Sequence, residues 1–161
     1  DASILDFGCG SGRDTRYFID HGYHVTATDG SEVICKMATD YTGIQVKQML
    51  FEELDDRNQY EGIWACASIL HLSREEFPDL FHKMHRALKT NGIIYTSFKY
   101  GTFEGERNGR FFTDFTEGMF EEFARQISGL QIEKMWITGD VREGRGDERW
   151  LNILLRKMDI C

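Results

Sequence analysis

The sequence predicts an α/β fold with a doubly wound, mainly parallel sheet, and three features of the chain support this. Strand-like runs alternate with amphipathic helical stretches between residues 3 and 98, a pattern typical of parallel strands joined by right-handed crossovers. A glycine-rich turn stands directly after the first strand. The last two strand-like runs are separated by a loop that is too short for a crossover helix, so these strands should pair antiparallel.

Seven segments are expected to form strands, because each is an apolar or β-branched run bounded by glycine or polar residues. In chain order they are residues 3–7, 24–28, 44–49, 62–67, 93–98, 130–138 and 150–156. The first run ends in Gly-Cys-Gly, which predicts that a buried strand meets a tight turn there. The second run ends at the turn pair Asp29-Gly30.

Four helices are expected between these strands. They run from residue 13 to 21, between Ser31 and Gly43, from Pro78 to the stop signal Asn91-Gly92, and from Thr116 to Ile127. Their apolar residues recur at the helical period, as Val33, Met37 and Tyr41 do in the second helix. The hydroxyls of Ser31 and Thr116 suit the N-cap position, where a side-chain oxygen accepts a free backbone N–H.

The size and composition of the chain indicate a single folded domain, residues 1–161. A chain of 161 residues is about one domain long, and a hydrophobic fraction of 41% excludes a disordered chain. Nineteen Lys and Arg residues against 27 Asp and Glu residues give a net charge of −8. This balance argues against nucleic acid as a partner, because affinity for phosphate backbones comes largely from an excess of basic residues. The oligomeric state is left open.

The cysteines and the apolar stretches indicate the cellular compartment in which the protein is expected. The four cysteines form no C-x-x-C pair, so neither a disulfide framework nor a metal site is expected. No secretory signal opens the chain, and the longest apolar stretch, residues 63–72, is too short to span a bilayer. We therefore expect a cytoplasmic protein with no membrane partner. Because a strand follows Asp1 so closely, we also expect that an N-terminal segment is missing.

The strongest functional signal is the sequence Leu-Asp-Phe-Gly-Cys-Gly-Ser-Gly-Arg at residues 5–13. Its three glycines allow tight dihedral angles and the close approach of a ligand where a strand turns into a helix. The helix N-terminus behind the loop offers free N–H groups to an anionic group. Asp29 ends the second strand, where an acid can accept hydrogen bonds from both hydroxyls of a ribose. Purely structural turns at both positions are the alternative.

Two classes of adenosine-containing ligand suit such a loop and acid. Enzymes that bind nicotinamide dinucleotides usually have the spacing G-x-G-x-x-G, whereas this loop is G-x-G-x-G and follows Asp6. A carboxylate at this position would repel a pyrophosphate and would attract a ligand that carries an ammonium group. The loop therefore favours the second kind of ligand.

These residues resemble those of the class I S-adenosylmethionine-dependent methyltransferases. The resemblance rests on Leu-Asp-Phe-Gly-Cys-Gly-Ser-Gly at residues 5–12, on Asp29, and on Ala-Leu-Lys-Thr-Asn-Gly-Ile at residues 87–93. Residues 140–152 look like a feature of the small bacterial-type subfamily that includes tellurite-resistance methyltransferases. The resemblance implies a Rossmann-like seven-stranded sheet of order 3-2-1-4-5-7-6 with strand 7 antiparallel. It also implies S-adenosyl-L-methionine as cofactor and S-adenosyl-L-homocysteine as product.

The resemblance also implies the roles of individual residues. Asp6 and the loop up to Arg13 would hold the methionine end, Asp29 the ribose, and the residues after the third and fourth strands the adenine and the methionine moiety. The cofactor-binding residues implied in this way are Asp6, Gly8, Cys9, Gly10, Ser11, Gly12, Arg13, Asp29, Gly30, Ser31, Leu50, Phe51, Glu52, Ala67 and Ser68. The family often has an acid near Gln48-Met49, and this chain departs from that pattern.

Candidate catalytic residues stand at the predicted strand ends. Methyl transfer can proceed by positioning two partners in line, and a base is needed only if the acceptor must lose a proton. His71, Lys99 and Tyr100 are the candidates. Each also has a structural interpretation, as a cap or core neighbour, a solvated strand end, and a wall residue respectively.

Five arginines fall in the two loops at the carboxyl-end face of the sheet: Arg107, Arg110, Arg142, Arg145 and Arg149. Arginine suits forked contacts with carboxylates and oxyanions. We expect some of them, Arg110 and Arg145 first, to bind an anionic acceptor. The alternative is that they pair with neighbouring acids and order the loops, the acids being Glu104, Glu106, Glu143, Asp147 and Glu148.

The sequence thus predicts a methyltransferase of the EC 2.1.1 class that acts on a small-molecule acceptor, with an anionic acceptor as the sharper hypothesis. Two alternatives stay open. One is a non-catalytic protein that binds S-adenosylmethionine, since no obligatory catalytic residue is visible. The other is an NAD-dependent oxidoreductase, which Asp29 would permit and Asp6 disfavours.

Overall fold

A computed structural model describes residues 2–140, 142, 144 and 146–159 of the chain. Its strands are β1 (Ser3–Phe7), β2 (His24–Asp29), β3 (Lys47–Gln48), β4 (Tyr60–Ala65), β5 (Leu88–Lys99), β6 (Glu104–Arg107), β7 (Arg110–Thr113), β8 (Leu130–Gly139) and β9 (Arg149–Lys157). Its α-helices are α1 (Arg13–Asp20), α2 (Glu32–Thr42), α3 (Phe77–Ala87) and α4 (Glu117–Ala124).

The described strands form a seven-stranded sheet of order β3-β2-β1-β4-β5-β9-β8, with β6 and β7 as a separate hairpin. The first five strands run parallel to one another, and β9 pairs antiparallel with both β5 and β8. Because β8 and β9 are the sixth and seventh strands of this sheet, the expected order 3-2-1-4-5-7-6 is confirmed. The carboxyl ends of β1, β2 and β4 lie side by side, which is where open α/β sheets bind ligands.

The third strand is shorter than predicted. Only Lys47 and Gln48 pair with β2, whereas a strand was expected over 44–49. Val46 is 2% exposed and packs against the α2 side of the sheet without joining the ladder. The apolar run at 44–49 therefore predicted the burial of Val46 correctly, but the pairing with β2 is limited to Lys47 and Gln48.

The third helix ends four residues before its predicted stop. Leu88 pairs with Tyr60 in the sheet, so α3 ends at Ala87 and both β4 and β5 begin earlier than expected. Asn91, with a φ of 63°, lies in an irregular part of β5. Pairing and burial of Leu88, which is 0% exposed, override the local stop signal of Asn91-Gly92.

The hairpin of β6 and β7 was not predicted, although the sequence carries a signal for it. Asn108 and Gly109 connect the two strands, and both have positive φ, at 50° and 81°. An Asn-Gly pair with this geometry is the preferred two-residue turn of β-hairpins. The hairpin lies over the carboxyl-end face of the sheet, so it helps to shape the candidate site.

The core is aromatic on the side of the sheet that α3 and α4 cover. Phe77, Phe81, Phe98, Phe115 and Phe120 are each at most 1% exposed, and their rings meet at centroid distances of 4.7–6.2 Å. Offset and edge-on contacts of this kind stabilise a core beyond the area they bury. Among the described residues, no helix is long and apolar enough to cross a membrane.

We expect Thr116→Ala to lower the free energy of unfolding by about 1 kcal/mol, because the N-cap hydroxyl accepts a backbone hydrogen bond. The structure confirms this cap: the Met119 N–H donates to Thr116 Oγ1 at 3.3 Å. Urea denaturation measures the change. Thr102→Ala, in an exposed loop, is the matched control and should change stability little. Equal losses in both variants would show that the cap contributes nothing.

Candidate functional site

The loop after β1 is shaped by two glycines with different requirements. Gly8 has a φ of 79°, and a Cβ there would lie 2.6 Å from Cβ of Ser68, so no side chain fits. Gly10 has a φ of 56°, and a Cβ there would meet no atom within 4 Å. The loop is therefore closed against β4 at Gly8 and open at Gly10, which leaves room for a ligand against its backbone.

Asp29 is fixed beside this loop at the end of β2. The N–H of Gly10 donates to Oδ2 of Asp29 at 3.0 Å, and the N–H of Ser31 donates to Oδ1 at 3.0 Å. Each carboxylate oxygen keeps further lone pairs for a second donor. A fixed, partly exposed carboxylate of this kind can accept the two adjacent hydroxyls of a ribose. Gly30 and Ser31 lie exposed just beyond it, and Ser31 caps α2.

Asp6 lies behind the loop and not on its open side. The residue is 2% exposed, and Oγ1 of Thr15 donates a hydrogen bond to its carboxylate at 2.6 Å. Burial raises the pKa of Asp6 to about 6, and the Thr15 hydrogen bond opposes that rise. The role that the resemblance implies for Asp6 at the methionine end of the cofactor stays a prediction.

The remaining loop residues, Cys9, Ser11 and Arg13, differ in burial and in their contacts. Burial raises the pKa of the Cys9 thiol to about 12, so Cys9 is not a nucleophile. Ser11 is exposed. Arg13, at the start of α1, forms an exposed ion pair with Asp14 at 3.2 Å and also reaches the wall of the cavity described below.

An apolar wall lies on the other side of Asp29. The side chain of Leu50 is 52% exposed and would lie 3.5 Å from a Cβ placed on Gly30. Phe51 packs edge-on against Phe7 at a centroid distance of 4.8 Å and borders Gly8. Glu52 is exposed, and its carbonyl accepts a hydrogen bond from Nζ of Lys83. An exposed Leu50 at this position can cover one face of a planar ring.

Two residues after β4 connect the loop to the rest of the site. Oγ of Ser68 donates to the carbonyl of Phe7 at 2.8 Å, which joins the ends of β4 and β1. Ala67 has a φ of 48°, and its N–H donates to Oγ of Ser97 at 2.8 Å. The structure thus brings the implied cofactor residues together at the ends of four adjacent strands, with Asp6 beneath them.

A cavity of about 1020 Å³ adjoins these residues, since Arg13 and Ala67 line it. It lies between the ends of β4, β5 and β9 and the hairpin of β6 and β7. Among the described residues that line it are five positively charged residues and three acids: Arg13, Lys99, Arg107, Arg110 and Arg142, then Asp140, Asp147 and Glu148. The cavity is large enough for a drug-sized molecule, and we call it the acceptor cavity below.

His71 and Lys99 both line the acceptor cavity. Nδ1 of His71 contacts the carbonyl of Phe111 at 2.9 Å, and burial lowers the pKa of the imidazole below its usual value. Nζ of Lys99 donates to Oε1 of Glu148 at 3.1 Å and lies 4.9 Å from the ring centroid of Phe112. Lys99 is therefore held as a cation in the wall of the cavity.

Tyr100 lies outside the acceptor cavity. Its hydroxyl donates to Oε1 of Glu117 at 2.6 Å, and this hydrogen bond raises the pKa of the phenol. Its backbone bridges to Phe115, so the residue faces a neighbouring depression that Arg149 also lines. Of the three catalytic candidates, His71 and Lys99 line the acceptor cavity and Tyr100 does not. The catalytic role of Tyr100 stays a prediction.

The arginines of the two loops have different surroundings. Arg107 binds both carboxylate oxygens of the buried Asp114, and Arg142 binds the carboxylate of Asp140. Arg110 lines the cavity and forms no ion pair with any residue that the structure describes. Arg145 lies outside the described residues. The loop-ordering interpretation thus accounts for Arg107 and Arg142 and leaves Arg110 unexplained.

A polar floor beneath the acceptor cavity was not predicted from the sequence. The Tyr95 hydroxyl donates to Oδ1 of Asn152, and Nδ2 of Asn152 donates to Oγ1 of Thr138 at 3.0 Å. Ser97 lies beside them on β5. The signal was the alternation along β5, where polar Tyr95 and Ser97 face the cavity and Phe98 faces the core. Within the described part of the chain, no group of His, Cys, Asp and Glu residues could hold a metal ion.

The chain is similar to known methyltransferases. A family described as a methyltransferase domain matches residues 4–92. The 1,6-didemethyltoxoflavin-N1-methyltransferase of Burkholderia thailandensis, solved with 1,6-didemethyltoxoflavin and S-adenosylhomocysteine, is 24% identical with a TM-score of 0.80, over 98% of this chain and 72% of that one. A SAM-dependent methyltransferase of Methanosarcina mazei is 16% identical with a TM-score of 0.83, over 98% and 93%. One of Mesorhizobium loti is 19% identical with a TM-score of 0.76, over 97% and 91%. No curated protein matches the sequence.

Proposed function

This chain belongs to the methyltransferase domain family, and on that basis we propose that it methylates a small anionic acceptor in the acceptor cavity. Its cofactor is S-adenosylmethionine, which supplies an electrophilic methyl group on a positively charged sulfur. The observation that carries the proposal is the continuity of the site. Arg13, at the end of the glycine loop, and Ala67, after β4, both line the acceptor cavity, so the residues expected to hold the cofactor adjoin it.

The residues around the glycine loop and Asp29 fit the cofactor on chemical grounds. Asp29 has lone pairs free for two ribose hydroxyls, and Gly10 leaves open space beside it. Leu50 presents an exposed apolar surface for adenine. The buried carboxylate of Asp6 favours a ligand that carries positive charge, because such a ligand offsets the cost of ionising Asp6.

The acceptor cavity supports an anionic acceptor. Positive residues outnumber acids on its wall, and Arg110 has no carboxylate partner among the described residues. A guanidinium in this situation gains most from a ligand carboxylate or oxyanion, which it can bind with two parallel hydrogen bonds. The net charge of −8 over the whole chain disfavours nucleic acid as the acceptor. The name of the Burkholderia enzyme, an N1-methyltransferase of a small heterocycle, agrees with a small acceptor.

Two finer proposals concern subfamily and compartment. We place the chain in the small bacterial-type group that includes tellurite-resistance methyltransferases, on the residues of the 140–152 stretch. We also propose a cytoplasmic location, since Cys9, Cys35 and Cys66 are all free thiols. Recombinant protein that stays monomeric and active only with these thiols reduced would support a reducing compartment, and identical behaviour in oxidising buffer would count against it.

Transfer of a labelled methyl group tests the main proposal. The chain is incubated with methyl-labelled S-adenosylmethionine and two matched pairs, 4-hydroxybenzoate and 4-aminobenzoate against their neutral methyl esters. We expect labelled product from an acid with a higher kcat/KM than from its ester. Faster transfer to the esters would contradict the anionic acceptor. Tight binding of S-adenosylhomocysteine without transfer to any member would instead favour the non-catalytic alternative.

We expect Arg110→Gln to raise the KM for the anionic acceptor about tenfold, since a hydrogen bond to a charged group contributes about 1.5–3 kcal/mol. The affinity for S-adenosylhomocysteine should not change, because Arg110 lies on the β6–β7 hairpin and not among the residues expected to hold the cofactor. Arg125→Gln, at the exposed end of α4, removes the same charge away from the site and serves as the control. An unchanged KM in Arg110→Gln would remove Arg110 from the acceptor site. Arg145→Gln is expected to act in the same direction.

A further inference from the structure

His71 is held in one tautomer by a neighbouring carbonyl. Nδ1 of His71 lies 2.9 Å from the carbonyl oxygen of Phe111. A carbonyl can only accept a hydrogen bond, so Nδ1 must carry the proton. In the neutral ring Nε2 then carries an unshared electron pair, which is the form that accepts a proton.

Nε2 of His71 is available to a molecule in the acceptor cavity. The residue lines the cavity, and its Nε2 makes no hydrogen bond with any residue in the described part of the chain. His71 is half-buried, so its ring is partly exposed. The ring is also fixed in place, because Phe112 packs edge-on against it at a centroid distance of 4.7 Å.

Burial and two nearby positive charges lower the pKa of this ring, and the hydrogen bond with Phe111 opposes them. Arg110 and Lys99 are the charged groups that act most directly on His71, and both oppose a second positive charge on the ring. Burial acts in the same direction and is the larger cause. The other ionisable groups on the cavity wall among the described residues are Arg13, Cys66, Tyr95, Arg107, Asp140, Arg142, Asp147 and Glu148.

The other nearby groups are poor bases at neutral pH. Lys99 is paired as a cation with Glu148. Burial raises the pKa of both the Cys66 thiol and the Tyr95 phenol, so both stay protonated. Asp140 is committed to Arg142 and to Nε1 of Trp150. His71 is therefore better suited to take up a proton than any of these groups.

We propose that His71 is the general base of the reaction, and hence that the acceptor atom is a nitrogen or oxygen that carries a proton. This inference rests on the proposed methyl transfer. The acceptor's electron pair forms the bond to the methyl carbon, the carbon–sulfur bond breaks with its pair remaining on sulfur, and the acceptor's proton moves to Nε2 of His71. The imidazolium then releases that proton to solvent through the mouth of the cavity. An acceptor without a removable proton has no use for His71.

The pH dependence of turnover distinguishes a base from a structural histidine. The base must be neutral, so kcat/KM should fall as the pH drops through the pKa of His71, which lies below the usual 6.5. His71→Asn keeps an amide N–H near Nδ1 for the Phe111 carbonyl and removes Nε2. We expect it to lower kcat about a hundredfold, to abolish this acid limb, and to leave the KM for 4-hydroxybenzoate nearly unchanged.

His85→Gln is the matched control. His85 is half-buried on α3, burial also lowers its pKa, and its Nε2 contacts the carbonyl of Met158 at 3.5 Å, outside the acceptor cavity. This variant should keep the acid limb and the kcat of the wild type. Retention of the limb in His71→Asn, or a loss confined to KM, would overturn the role of His71 as a base.

A measurement without turnover separates this inference from the proposed function. Nitrogen-15 NMR of the free protein at pH 7.5 reports which ring nitrogen of His71 is protonated. We expect a neutral ring with the proton on Nδ1. A proton on Nε2, or a charged ring, would overturn the inference even if methyl transfer occurs. If no acceptor is methylated while the expected tautomer is seen, the proposed function fails, and the proposed role for His71 fails with it.

Discussion

Replacing Asp29 by alanine is expected to weaken the binding of S-adenosylhomocysteine by about a hundredfold. The carboxylate offers acceptors for two ribose hydroxyls, and each hydrogen bond to a charged group contributes about 1.5–3 kcal/mol. The change also frees the N–H groups of Gly10 and Ser31, which Asp29 now holds at 3.0 Å. The loop then loses the contact that orients it towards the ligand. Isothermal titration calorimetry measures the dissociation constant directly.

Asp20→Ala is the control for the charge change. Asp20 lies at the end of α1 with its side chain 58% exposed, and it forms an ion pair with Arg16 at 3.4 Å. Its replacement should leave the affinity for S-adenosylhomocysteine within about twofold, since exposed ion pairs contribute little. If Asp29→Ala binds as tightly as Asp20→Ala, Asp29 does not hold the ribose.

Arg107→Met is expected to lower the free energy of unfolding by about 3 kcal/mol, the low end of the range for breaking a buried ion pair. The guanidinium binds both oxygens of Asp114, whose side chain is 4% exposed. Methionine fills a similar volume and leaves that carboxylate buried without its partner. The low end applies because the Arg107 side chain is itself 31% exposed. Urea denaturation at neutral pH measures the loss.

Lys89→Met provides the comparison for this ion pair. Lys89 pairs with Glu61 at 2.8 Å, but both side chains are more than 40% exposed. Breaking such a pair costs less than about 1 kcal/mol. Similar small losses in the two variants would show that Asp114 does not depend on Arg107, and that the hairpin is held over the cavity by other contacts.

Local signals predicted the fold where the contacts themselves are local. Ser31 and Thr116 accept N–H groups three residues further along, and both caps are confirmed. Strand–helix alternation predicted the parallel sheet, and the final short loop predicted the antiparallel pair, whereas the strand order was implied by the family resemblance. The stop at Asn91-Gly92 failed because the pairing of Leu88 with Tyr60 joins residues far apart in sequence. No local pattern carries that information.

The candidate site was likewise predictable in part. The loop and Asp29 are each marked by their place at a strand end, and their contact through Gly10 follows from the pairing of β1 with β2. Tyr100 and Arg107 follow the fifth predicted strand and were therefore expected at the site. Their side chains form hydrogen bonds with Glu117 and Asp114. Both acids follow the hairpin that was not predicted, so these contacts could not be predicted from the sequence.

Titration of the unmodified chain with S-adenosylhomocysteine and with NAD is the most direct test of the central claim. That claim is that the glycine loop and Asp29 bind the cofactor of a methyltransferase. We expect saturable binding of S-adenosylhomocysteine at one site per chain and no detectable heat from NAD. Binding of NAD with no binding of S-adenosylhomocysteine would contradict the claim.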